Sequence, residues 1–305
     1  LFNGVNEDGY RDDSGVDQQK VSWLYSYDSD NGTRFDGGFT FINLNQETAG
    51  YVVGTDAFEG SRRDSNPNPE AFRDSVSTRV WTTISRTVND WDGVFTPYLR
   101  DVNMTFMQHF LPGKPIEDTE HRSLGFHLAA YRELSNGANF AMGFDLEDTE
   151  GNLKQFQPNP TTGSFFLRNS IPQGRHYDYE VDATQLAAFI NYEQRFDNGW
   201  EAKAVYTYRK TEGESELFYV YGTPNKDESG LFAYPSYYED KLTENVFDLY
   251  ARGPFEVGGR VHQLVVGANH AKGEMRETSL YGRGIGTTLT PEQAFGGTYP
   301  KPLFD

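Results

Sequence analysis

Leu124-Gly125-Phe126-His127-Leu128-Ala129-Ala130 and, beyond Ser135-Asn136-Gly137, Phe140-Ala141-Met142-Gly143-Phe144-Asp145-Leu146 are the segments that decide the fold. Leu124, Phe126, Leu128 and Ala130 alternate with Gly125, His127 and Ala129, and Phe140, Met142, Phe144 and Leu146 alternate with Ala141, Gly143 and Asp145. A period of two gives an extended strand one greasy face and one face of small or polar residues. Asn-Gly between them supplies the positive φ values of a tight hairpin turn. Leu186, Ala188, Ile190 and Tyr192 repeat the pattern, as do Phe247, Leu249 and Ala251.

Short polar turns recur along the chain at 28–32, 89–93, 135–137, 197–199 and 253–259. They predict ten strands in five hairpins: 18–28 with 33–46, 74–88 with 94–108, 120–134 with 138–149, 182–196 with 200–213, and 242–253 with 260–272. Many of these strands exceed the five or six residues common in globular sheets, whereas a tilted strand needs about 9–11 to cross a bilayer. The hairpins are joined through 47–73, 109–119, 150–181 and 214–241, with a further long segment from 273 onward, all read as loops. Short turns at one end and long loops at the other are the asymmetry of a membrane barrel with its loops outside the cell. Trp23, Tyr25, Tyr27, Trp91, Tyr131, Tyr192, Trp200, Tyr206 and Tyr208 near strand ends suit the two interfaces, with Trp91 and Trp200 in one girdle. Aromatics are also good strand formers, so the girdle reading competes with a plainer one.

Composition agrees. Phe (23), Tyr (19) and Trp (4) are abundant, Cys is absent, and mean hydropathy is −0.69. No run approaches the roughly 20 apolar residues of a membrane helix, but a barrel strand needs an apolar residue only at every second position. A net charge of −18 (27 basic against 45 acidic residues) argues against nucleic acid as a partner. Zero Cys excludes a disulfide framework and thiolate chemistry. No basic segment followed by an apolar one opens the chain, so no signal peptide is read.

The segment Glu7-Asp8-Gly9-Tyr10-Arg11-Asp12-Asp13-Ser14-Gly15 and the strand after it resemble a segment of TonB-dependent outer-membrane receptors. The stretches 43–51 and 65–73, with Pro97-Tyr98-Leu99-Arg100 and 107–113, are similar to its iron-transport members. The resemblance implies an all-β, transmembrane antiparallel barrel of about 22 strands closed by an N-terminal plug. Residues 1–305 read as about ten of those strands in one domain, with neither plug nor TonB box in view. Pro300 and Pro302 argue against a closing strand at the end. It further implies energised import of a ferric siderophore or similar scarce ligand across the bacterial outer membrane, with the TonB complex as partner and lipid and lipopolysaccharide around the wall. Haem, cobalamin, a quinone cofactor or a glycan are the alternative cargoes, behind the siderophore.

No catalytic motif, metal-ligand spacing or cofactor site stands out, so no enzyme and no resident cofactor is expected. Long loops rich in Arg and Tyr suit an anionic, aromatic ligand through charge-assisted hydrogen bonds and cation–π contact. The candidate ligand-binding residues are Tyr51, Arg62, Arg63, Arg73, His109, Arg175, His176, Tyr177, Tyr219 and Tyr237. Arg168, Arg276, Arg283, Tyr179, Tyr221, Tyr234, Tyr238 and Tyr281 lie in the same segments. The plainer alternative is that they tie the loops to one another. His109, His121 and His176 are also candidates for a haem iron, with a solvated imidazole as the plain alternative. Inward residues such as Arg79, Asp145, Asn191 and Asp248 are expected to bond the plug or each other. The rivals are a passive porin, an omptin-like protease with His176-Tyr177-Asp178 as its only dyad, and a soluble all-β module.

Overall fold

The computed structural model describes residues 1–111, 113–169, 172–173, 176–177, 179–296 and 304, with side chains given outside 167–181 and Gly296. Strands come first as β1 (Phe2–Glu7), β2 (Val16–Asp28), β3 (Thr33–Glu47), β4 (Phe72–Val88), β5 (Trp91–Met107), β6 (Ile116–Glu133) and β7 (Ala138–Pro158). There follow β8 (Phe165–Asn169), β9 (Pro172–Gln173), β10 (His176–Tyr177), β11 (Tyr179–Arg195), β12 (Glu201–Gly222), β13 (Leu231–Val257) and β14 (Arg260–Tyr281). Two short helices, α1 (Gly60–Asp64) and α2 (Pro291–Gly296), lie outside them. One antiparallel sheet runs β1-β2-β3-β4-β5-β6-β7-β11-β12-β13-β14, with β8 bridging β7 and β12; β9 and β10 pair apart.

All ten expected strands are present, and several run further than alternation indicated. The segment 214–241 is not a loop. β12 and β13 pair without a break from Glu201↔Arg252 to Gly222↔Leu231, leaving only 223–230 as the connection. Likewise β6 begins at Ile116, β7 continues to Pro158 and β14 to Tyr281. Two turns are also tighter than read. Val88↔Trp91 and Val257↔Arg260 are ladder pairs, so the turns are Asn89-Asp90 (φ 50° and 65°) and Gly258-Gly259 (φ 60° and 72°). Two consecutive positive φ values make the hairpin turn whose twist matches that of the strands.

Register fixes how this wall stands in a bilayer. Trp23, Phe39, Val80, Leu99, Leu124, Asp148, Thr184, Glu212, Lys241 and Arg276 form one row of directly paired residues from β2 to β14. Such a row runs perpendicular to the strands and on one face. Its first five members are apolar and its last five polar, so the row leaves the apolar band as it crosses the sheet. The last apolar residue of this face is Val21 on β2, Phe41 on β3, Leu124 on β6, Leu146 on β7, Leu186 on β11, Tyr208 on β12, Phe247 on β13 and Ala268 on β14. Relative to the row, that edge slips by ten residues over nine strand spacings. At ~3.3 Å per residue and ~4.8 Å per strand, strands tilted by about 30–40° restore a level edge. Membrane barrels tilt by about 35–45°. On this face Trp23, Leu124, Leu128, Met142, Ile190, Phe247, Leu249 and Val266 are exposed, as lipid contact requires. Trp91 meets Phe140 edge-on at 5.9 Å near the lower edge, where Tyr192 and Trp200 share the same face.

Above the band the outer face is covered. Phe218, Val220, Leu231 and Ala233 pack with Phe166, Leu289 and Ala294 in a small core, each 3% exposed or less, with Phe295 against it. The Phe, Val and Leu side chains among them contribute roughly 1.5–3 kcal/mol each on burial. The β12–β13 ribbon is thereby held upright beyond the membrane, and its inner face is left open.

Candidate functional site

Opposite the apolar band the sheet is polar. His127 Nδ1 and Asp145 Oδ1 are 2.5 Å apart on paired strands. Higher up, Tyr98 and Arg100 both donate to Glu147, whose Oε1 also accepts from Thr149 at 3.2 Å, and Thr149 meets Ser123 at 2.8 Å. The ladder continues through Gln155, whose amide donates to Gln108 at 2.7 Å and to Glu117 at 3.2 Å. Tyr98 reaches Glu147 across β6 because Gly125 lies beneath it: a Cβ at that position would stand 2.5 Å from the phenol oxygen. Asp145, expected to bond the plug or the other inward residues named with it, meets His127 instead.

On the same face, at the top of β12, β13 and β14, aromatic rings form a continuous surface. Tyr219 and Tyr221 stack at 6.5 Å with planes 8° apart, and Tyr221 lies 5.5 Å from Phe232. Tyr221 meets Tyr234 edge-on at 6.4 Å; Tyr281 meets Tyr234 at 6.0 Å and Tyr238 at 6.5 Å. The pairs Tyr219↔Tyr234, Tyr221↔Phe232 and Ser236↔Tyr281 place these rings on the inner face, since no register shift interrupts β13. Tyr221 (36% exposed), Tyr234 (36%) and Tyr281 (47%) keep open ring surface, whereas Ser236 among them is fully buried.

The candidate residues divide by position. Tyr219 joins the inner aromatic surface. Tyr237 sits on the outer face, because residues 237 and 238 of one strand point oppositely. Its hydroxyl donates to Glu214 at 2.8 Å and Glu239 at 3.1 Å; burial and those two carboxylates hold the phenol's pKa well above its ordinary value. Arg276 also lies on the outer wall, beside Glu274 at 2.6 Å. Arg62 is tied within its loop to Asp56 (3.0 Å) and the Val53 carbonyl (2.5 Å), and Arg63 to Asp64 at 2.7 Å. Arg73 lies over the Phe106 ring at 5.8 Å, His109 meets Phe110 edge-on at 5.7 Å, and Tyr51 is 75% exposed. Glu70 and Lys114 pair between the loops that follow β3 and β5, which lowers the Glu70 pKa. Arg175 and Asp178 lie outside the described residues. His176 and Tyr177 pair with Gln173 and Pro172 through their backbones, and their side chains are not described. Among the described residues no three His, Asp or Glu side chains gather as a metal site.

Sequence reasoning named the tyrosines but not the surface. The alternation of Tyr219 and Tyr221 with Phe218 and Val220 was the available signal, hidden because both faces of that ribbon are apolar and no period-2 contrast in polarity appears.

A tilted antiparallel wall with a lipid-exposed outer band, a polar inner face and long outward excursions defines an outer-membrane β-barrel. No family model matches the sequence. Residues of the chain are 32% identical over 99 positions to a Pseudomonas putida protein named ferric-pyoverdine BN7/BN8 receptor, covering 32% of this chain and 12% of that protein. They are 27% identical over 134 positions to the ferripyoverdine receptor of Pseudomonas aeruginosa, covering 44% and 15%. In solved structures the fold superimposes on the unliganded ferric citrate transporter FecA with a TM-score of 0.59 at 9% identity, over 92% of this chain and 50% of that one. The open form of the ferric-catecholate import receptor Fiu from E. coli K12 gives 0.53 at 9% identity, over 92% and 56%. The chain thus spans about half the length of these structures. Over part of the wall it shares the β-barrel fold of these outer-membrane receptors.

Proposed function

We propose that this wall belongs to a receptor that captures a ferric siderophore outside the cell and passes it inward with energy delivered by TonB. The observation that carries the reading is the inner aromatic surface of Tyr219, Tyr221, Phe232, Tyr234 and Tyr281 at the extracellular mouth. Flat rings stack on it, and phenol hydroxyls accept or donate to the oxygen-rich shell of a chelated iron. No bond is made or broken, so the chain carries no catalysis. β1 and β14 leave unpaired edges among the described residues, which lipid does not tolerate; further strands of the same barrel close them, around a plug. Lipid and lipopolysaccharide surround the outer face.

The test is binding of ferric siderophores to the intact receptor in outer-membrane vesicles, read by quenching of protein fluorescence. Tyr221→Ala with Tyr234→Ala removes two ring contacts of about 0.5–1.5 kcal/mol each, a loss of roughly 5- to 150-fold in affinity. Unchanged affinity in a correctly folded double variant would refute the site.

A further inference from the structure

Below the aromatic surface, on the same inner face, two carboxylates stand side by side. Asp240 of β13 and Glu277 of β14 are directly paired, and Ala183 of β11 and Gly213 of β12 complete their row. Asp240 continues the inward series of Tyr234 and Tyr238, and Glu277 that of Tyr281 and Ser279. Asp240 lies over Gly213, where a Cβ would stand 3.2 Å from its carboxylate, and Glu277 accepts from Ser279 at 3.3 Å. Among the described residues neither meets a lysine or arginine. Lys241 and Arg276 stand on the opposite face with Glu212 and Glu274, and Arg209, four positions below Gly213, is paired directly with Glu244. Like charges placed directly opposite destabilise a sheet. A second group on this surface also lacks a partner. Ser236 projects among Tyr234, Tyr238 and Tyr281, fully buried, and its hydroxyl has no hydrogen bond. Leaving a buried hydroxyl unpaired is costly, and a ligand group inserted between Tyr234 and Tyr281 would relieve that cost.

We infer that the ligand of this mouth carries a cationic arm, a protonated amine or guanidinium seated on Asp240 and Glu277, while its chelate lies against the rings and bonds Ser236. This deepens the capture reading and rests on it. Ser236 and Asp240 are four residues apart on β13, about 13 Å, so the cation and the group that meets Ser236 are different parts of one ligand. The arm joining them crosses Tyr238. A cation answers the paired carboxylates through charge-assisted hydrogen bonds, and phenol faces attract positive charge along its path. A bare metal ion is a poorer occupant, because no three His, Asp or Glu side chains gather among the described residues. The anionic ligand suggested by arginine-rich loops fits less well here. Arg62 and Arg63 are engaged by Asp56 and Asp64, and Arg276 by Glu274 on the outer wall.

The test uses two ferric complexes that differ only in charge: a linear trihydroxamate with a free terminal ammonium, and its N-acetylated twin. A ferric tricatecholate, which is anionic, serves as the third probe. Each is titrated by fluorescence quenching against the intact receptor in outer-membrane vesicles. Wild type is expected to bind the ammonium complex on the order of tenfold more tightly than its twin. Asp240→Asn with Glu277→Gln preserves both shapes and relieves their repulsion, so the barrel still folds. In that variant the affinities of the twins are expected to come within about threefold of each other. Ser236→Ala is expected to weaken both twins by about two- to tenfold. Equal affinity for the twins in wild type, a preference that survives in the double variant, or tight binding of the tricatecholate alone overturns the inference and leaves capture standing; the carboxylates would then pair within the receptor. Binding of none of the three complexes overturns capture and this inference with it.

Discussion

Leu128 and Asn245 sit in one cross-strand row, linked through Phe144, Ala188 and Tyr208, yet the tilt places them at different depths. Leu128 is two outward positions below Leu124, the edge of the band on β6, and 48% exposed. Four residues at ~3.3 Å, foreshortened by the tilt, put it about 11 Å inside a band about 25 Å tall, near its middle. Asn245 is the first polar outward residue above Phe247, at the interface. An Arg on the lipid face costs about 2–4 kcal/mol at mid-bilayer and about 0–1 kcal/mol near the interface. Leu128→Arg is therefore expected to destabilise the barrel by ~2–4 kcal/mol and Asn245→Arg by ~0–1 kcal/mol. The latter also gives up an exposed hydrogen bond from Tyr206 at 2.7 Å, which belongs at the low end of about 0.5–1.5 kcal/mol. Guanidinium titration of the intact receptor in lipid vesicles, followed by tryptophan fluorescence, reads the difference. Upright strands would hold the row at a single depth, so equal destabilisation at the two positions refutes the tilt and the band drawn from it.

Glu147→Ala strips Tyr98 and Arg100 of their shared acceptor. Because Glu147 is 22% and Arg100 41% exposed, the expected loss is about 1–2 kcal/mol rather than the ~3–5 of a fully buried pair, measured by the same titration. Gly125→Ala drives a Cβ to 2.5 Å from the Tyr98 oxygen and 2.7 Å from the Leu146 carbonyl, so a loss of about 1–3 kcal/mol is expected; a neutral result would mean the ring does not lie on that glycine. The Glu70 pKa is lowered by Lys114, so the pair's contribution is complete above the unfolded value and disappears as pH falls through the lowered one. Amide exchange in 108–115, corrected for intrinsic rates, is expected to quicken on acidification below about pH 4, and Glu70→Gln to abolish that step.

The ten strands within the band and their pairing were legible because each must be greasy on one side only, whereas β1 and β8 to β10 went unread. Phe140, Met142, Phe144 and Leu146 read unambiguously for that reason, as did the Asn-Gly turns between strands. Legibility failed above the membrane. In the β12–β13 ribbon Phe218 and Val220 enter a small core while Tyr219 and Tyr221 line the inner face, so both sides are apolar and the run resembled a Tyr-rich loop. The site residues suffered most, since a candidate's face follows from parity counted along an unbroken strand. Tyr219 and Tyr237 looked equivalent when 214–241 was read as a loop, but β12 and β13 place them on opposite sides.

Parity also gives this one ribbon two unlike faces. Successive residues of β13 alternate between Tyr234 and Tyr238, which face the mouth, and Tyr237, Glu239 and Lys241, which face outward. A one-residue slip of β13 against β12 would exchange the two sets, turning carboxylates toward the mouth and rings outward. The covered outer face opposes that slip. Leu231 and Ala233 are fully buried against Leu289 and its neighbours, and a shift by one would expel both and bring Phe232 and Tyr234 into their place. Losing the burial of Leu231 alone costs about 1.5–3 kcal/mol, before any overpacking by the two larger rings. The small core outside the barrel is thus what fixes which side chains face the mouth, and enlarging Ala233 to Leu should loosen the ribbon and, with it, the proposed siderophore binding. A variant in which binding survives while the ribbon exchanges amides freely would separate the two and break this link.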